Sequence, residues 1–163
     1  MIVGPSSKGR GCRVSKGDHA LDTWNLSSLM ELLASDPEPL GDVDVAVPEG
    51  SDVIRVTLKE KGDLDVFVAV SGQEILASVA LAPADSVPRR EAFERMVLST
   101  HKLVPLSTFG LIRVNDEEWY ELFGALSARS SAEAVVEEVA VLAANAVDAA
   151  NMIEEWKSGE FEA

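Results

Sequence analysis

Two histidines and one cysteine are the residues of this 163-residue sequence best suited to metal binding or nucleophilic chemistry. His19 and His101 form no H-E-x-x-H pattern and no paired spacing, so a transition-metal site would have to draw on scattered carboxylates. Cys12 lies beside Arg10 and Arg13, whose charge favours a thiolate. A lone cysteine permits neither an intrachain disulfide nor a tetracysteine zinc site. His101 together with Ser99, Thr100 or Ser107 is the one grouping of a base with nucleophiles. It defines an alternative function, a small-ligand protein or enzyme with a pocket near His101 and Ser107. A single histidine in a Ser/Thr-containing connection is more often a hydrogen-bonded structural group, so no catalytic residue is assigned. Asp116-Glu117-Glu118 and Glu137-Glu138 read as a turn and a solvated helix face. Acid–base work would need such carboxylates buried. No G-x-S-x-G elbow and no strand–GxGxxG–helix unit occurs. The stretch Gly4 to Arg10 approximates a phosphate loop, but Arg10 stands where lysine belongs and Gly11 replaces the Ser/Thr. No cofactor and no metal are expected.

Composition narrows the partners. The net charge is −14, with 28 acidic residues against 14 basic ones. Residues 1–22 hold Lys8, Arg10, Arg13 and Lys16 against only Asp18 and Asp22, so the rest of the chain is more acidic still. Such a surface repels nucleic acid and anionic lipid, and steers a basic partner if it steers anything. With 47% apolar residues the chain can build a core. No apolar run approaches a membrane span, and the N-terminus lacks the apolar stretch of a secretory signal. The expectation is a cytoplasmic protein without membrane insertion.

The elements that would position any site follow from periodicity. Residues 1–22 are rich in Gly, Ser and Lys and read as a disordered basic leader. A single domain follows over 23–157, with a frayed tail at 158–163. Leu26, Leu29, Met30 and Leu33 make a helical stripe within Trp24 to Ser35, capped by Thr23 or Asn25 and stopped by Asp36-Pro37. Val43, Val45 and Val47 predict a short edge strand. Ile54-Val56-Leu58, Leu64-Val66-Val68-Val70 and Ile75-Ala77-Val79-Leu81 alternate with their neighbours. Joined by Lys61-Gly62-Asp63 and Ser71-Gly72, they form an antiparallel meander. A second helix over Arg89 to Thr100 turns Phe93, Met96, Val97 and Thr100 inward. Phe109 to Val114 is a strand. Glu118 to Ser127 is assigned as a strand because Tyr120, Leu122, Gly124 and Leu126 alternate, and Gly124 weakens a helix. Ser130 with Glu133 reads as a capping box for a last helix. Its stripe is Val135, Val139, Leu142, Ala146, Ala149, Ile153 and Trp156. The fold class is α+β, an antiparallel sheet of five or six strands with three helices in the order α-(β)-βββ-α-ββ-α.

Two features bear on binding. The last helix, at roughly 26 residues and 1.5 Å per residue, is about 39 Å long. A domain of this size is a little over about 30 Å across, so one end should overhang or pack on another chain, unless the helix lies diagonally over a twisted sheet. The sheet also carries apolar residues on its second face: Phe67, Leu76, Trp119 and Phe123, with Ala69, Ala80 and Ala125. A water-facing sheet surface should be polar, so this face is expected to bind a protein partner or close a homodimer.

The order of elements resembles the small acidic secretion chaperones of the CesT/Tir type, which are type III secretion chaperone-like folds. More closely, the chain is similar to the uncharacterised bacterial YjfI family. The resemblance lies in Trp24-Asn25-Leu26-Ser27-Ser28-Leu29, in the connection Ser99-Thr100-His101-Lys102-Leu103-Val104-Pro105-Leu106-Ser107-Thr108-Phe109-Gly110-Leu111, and in Tyr120-Glu121-Leu122-Phe123-Gly124-Ala125-Leu126-Ser127. These fall within residues 23–156. The resemblance implies a non-catalytic chaperone-like or adaptor role, alongside membrane-stress proteins of the PspA type, and no catalytic residues.

Overall fold

A computed structural model describes residues 23–35 and 37–160. The leader, Asp36 of the helix stop signal and residues 161–163 lie outside the described residues. The chain runs α1 (Leu26–Leu33), β1 (Val43–Ala46), β2 (Val53–Leu58), β3 (Leu64–Ser71), β4 (Glu74–Pro83), α2 (Arg90–Thr100), β5 (Thr108–Val114), β6 (Glu117–Ser127) and α3 (Ala132–Ser158). Six strands form one antiparallel sheet in the order β1-β2-β3-β4-β6-β5. The class, the sheet and the three helices are those implied by the sequence, and the last hairpin enters as β5 at the edge with β6 beside β4.

Alternation decides which face is buried. Ile54, Val56, Val66, Val68, Ile75, Ala77, Val79 and Leu122 form the inner rows and pack with Leu29 and Leu33 of α1 and Val135, Val139, Leu142 and Ala146 of α3. Every residue of the α3 stripe from Val135 to Trp156 is buried. Ala143, Ala146 and Ala149 are buried among them, and their small side chains let the helix lie close to the sheet. A second cluster extends the body beyond the end of β4. There Phe93 of α2 stands edge-on to Tyr120 and to Trp156, with ring centroids 5.0 and 5.4 Å apart. The Trp156 indole donates to Pro88 O at 2.7 Å, and the Arg89 guanidinium lies 4.4 Å above its ring. The end of α3 therefore neither overhangs nor waits for another chain, because α2 and its flanking loops cover it.

Local details depart from the sequence expectations. The α3 cap is Ser131, whose hydroxyl accepts from Ala134 N at 3.2 Å. Ser130 belongs to the preceding turn: its N–H donates to Ser127 O and its carbonyl accepts the Trp24 indole at 2.7 Å. Gly159 and Glu160 close the helix by donating to Trp156 O and Glu155 O, a Schellman arrangement, so residues 158–160 are an ordered cap and not a frayed tail. Met30 and Thr100 are exposed, Leu32 replacing Met30 against the core. The β4 register slips between Ala80 and Ala82, which turns Ala82 inward and leaves Leu81 half-buried.

Candidate functional site

All three helices bury their apolar residues against the inner rows, and among the described residues no helix lies on the opposite face of the sheet. Pairing registers define that outer face. One cross-strand row reads Arg55, Phe67, Ser78, Phe123 and Thr108. The next reads Val53, Ala69, Leu76 and Ala125. The sheet thus gathers Phe67, Leu76 and Phe123 around Ser78. Trp119 is on the same face but stands four residues along β6 from Phe123, about 14 Å away at strand spacing, with Glu121 between them. Its indole donates to Glu117 at 3.1 Å. Phe67, Leu76, Trp119 and Phe123 are all half-buried, and among the described residues no helix covers them.

Two charged groups frame the apolar centre. Arg55, next to Phe67 in the row, has a buried Nε without a hydrogen-bond partner, and such orphan donors are uncommon. Glu121, opposite Ala80 and Gly110, has its carboxylate over Gly110, where an added Cβ would lie 2.9 Å from Oε1. Burial raises its pKa above the ordinary carboxylate value. The outer face is therefore an apolar strip with a cation on the β2 side and a desolvated carboxylate on the β6 side.

The His101 and Ser107 region is built differently. The His101 Nδ1 is 2.9 Å from Leu98 O. Ser107 is buried, and its hydroxyl accepts from Asn145 Nδ2 at 2.9 Å. Asn145 also donates to Pro105 O at 2.8 Å, which ties the connection to α3. Each side chain is thus engaged by its own structural partner. A shallow cavity of about 340 Å³ lies beside them, lined by Leu103, Pro105, Phe109 and Met152 among others. Among the described residues no group of three or more His, Cys, Asp or Glu is placed to hold a metal ion, and no helix is long and apolar enough to cross a membrane.

Sequence reasoning missed three arrangements. Glu138, read as part of a solvated face, is 5% exposed: its carboxylate lies on Gly124, where an added Cβ would come within 1.7 Å of Oε1. Burial, then the neighbouring Glu137, raises its pKa. Arg90 bridges Glu94 at 2.7 Å and Glu118, and Tyr120 donates to Glu94 at 3.1 Å. Those hydrogen bonds push the Arg90 pKa higher still, and burial followed by the Glu94 bond pushes Tyr120 up to about 12. The most exposed large apolar side chains are Leu103 (81%), Leu98 (68%), Leu106 (55%) and Leu111 (47%), around the α2–β5 connection and not on the outer face. Leu98 falls outside the α2 stripe, and that was the one available signal.

Residues 23–157 match a family described as an uncharacterised protein conserved in bacteria, DUF2170. Two curated relatives, both named YjfI and uncharacterised, come from Escherichia coli K12 and O157:H7. Each is 32% identical over 134 residues, 82% of this chain and 98% of the relative. Among solved structures the chain resembles E. coli YbjN, with a TM-score of 0.52 at 15% identity, covering 77% of this chain and 94% of that one. That likeness carries the fold alone.

Proposed function

The chain belongs to the DUF2170 family, and from that premise we propose that it is a non-catalytic, chaperone-like or adaptor module that holds a segment of a partner protein on its outer sheet face. One observation carries the proposal: Phe67, Leu76 and Phe123 meet on a face that no described helix covers, beside a buried Arg55 Nε that lacks an acceptor. A bound segment would cover the aromatic rings and offer Arg55 a carbonyl or carboxylate. The acidic remainder of the surface keeps the complex soluble. On this reading the chain works in the cytoplasm, and membrane-stress proteins of the PspA type are the first partners to test.

The test is retention of a partner by Phe67→Asp, Phe123→Asp and Trp119→Asp variants. Each is expected to keep the wild-type circular dichroism spectrum. The first two are expected to lose at least about tenfold in affinity, the equivalent of one buried aromatic anchor, and Trp119→Asp less because it stands apart. Variants that fold normally and retain every partner would remove the outer face from consideration.

A further inference from the structure

The two edges of the sheet are unlike. β1 has four residues, carries exposed Asp44 and is followed by Pro48, all features that discourage pairing with another strand. β5 has seven residues, no proline and one charged side chain, Arg113, and no described strand pairs with its free edge. Exposed Leu111 sits at its middle. α2 runs alongside, its Arg90 and Glu94 reaching the Glu118–Tyr120 end of β6 and its Leu98 sharing a cleft of about 220 Å³ with Phe109 and Leu111. The C-terminal end of α2, with His101 and Lys102, therefore lies toward the start of β5.

From these observations we propose that two copies of this chain associate through their β5 edges, pairing antiparallel about Leu111 to give one continuous sheet. A two-fold axis through Leu111 sets Gly110 opposite Ile112 and Thr108 opposite Val114 of the second copy. It brings Leu98 and Leu111 of both copies together over the join. Charge selects this register. In a protein of net charge −14, two copies can approach only where the surface is least acidic, and β5 is such a place. The pairing also lays the acidic turn Asp116-Glu117 of one copy beside His101 and Lys102 of the other, a complementary contact made twice. The proposal does not depend on a client on the outer face. The axis stands perpendicular to the sheet, so both outer faces remain open on one side.

Sedimentation of the full chain across the micromolar range is expected to show a species of about twice 17.4 kDa. Leu98→Lys with Leu111→Lys should yield a monomer with an unchanged circular dichroism spectrum. Lys102→Glu and Glu117→Lys should each weaken association by about tenfold, and the two together should restore it. A chain monomeric throughout, a dimer indifferent to Leu98 and Leu111, a dimer broken by Phe67→Asp, or a double charge reversal that fails to restore association would each overturn the proposal.

Discussion

Glu138 shows what one side chain contributes. Gly124 provides its space, since any larger residue there would meet the carboxylate or Leu106 O, 3.1 Å from the added Cβ. Burial raises the folded-state pKa above the ordinary carboxylate value, so protonation favours the native state. That contribution is complete below the unfolded pKa and is lost as pH rises through the folded one. Stability from this group should therefore increase on acidification from neutral pH toward pH 4.5. Glu138→Gln is expected to raise the melting temperature at neutral pH by about 2–4 °C, the effect of roughly 1 kcal/mol in a domain this size, and to flatten the pH profile. Thermal melts over pH 4.5–8 check this. A melting temperature unchanged or lowered at neutral pH would show the carboxylate to be compensated. Glu121, also raised by burial, adds a slope of the same sign.

Among the elements, α3 shows how far periodicity reaches and where it stops. Seven positions from Val135 to Trp156 are legible because a helix buries one stripe, and all seven are buried. The cap is not legible at the same resolution, because Ser130 and Ser131 both offer a hydroxyl and only the turn geometry separates them. Ser131→Ala should cost about 1 kcal/mol, the usual price of a lost cap, while Ser130→Ala should cost little because its backbone makes the contacts. Urea unfolding of the pair decides it. The bulge after Ala80 escaped because one inserted residue leaves the composition of a strand unaltered. Glu138 escaped because its partner Gly124 belongs to another element, and sequence spacing within α3 says nothing of a gap in β6.

At the scale of the whole molecule, two clusters share one long helix. The sheet core holds its first part, and Phe93, Tyr120 and Trp156 hold its end. Trp156→Ala should thus destabilise the whole domain by about 3–5 kcal/mol, as expected for a buried aromatic, and not merely loosen the terminus. A single unfolding transition at lower urea would show this, and a separate early transition would contradict it. The α+β class and the two-sided apolar sheet were legible in strand alternation. The exposure of Leu111 was not, because alternation assigns a face but cannot tell an edge strand from a central one.

The sheet order also fixes a timetable for synthesis. β5 leaves the ribosome before β6, although β6 must lie between β5 and β4, and α3 leaves last. A nascent chain that has completed β4 can close its meander and lay α1 on β2, but cannot cover Val68, Ile75 or Val79, whose lid is α3. These inner residues thus stay bare on the ribosome until β6 has taken its place between β4 and β5 and α3 has followed it.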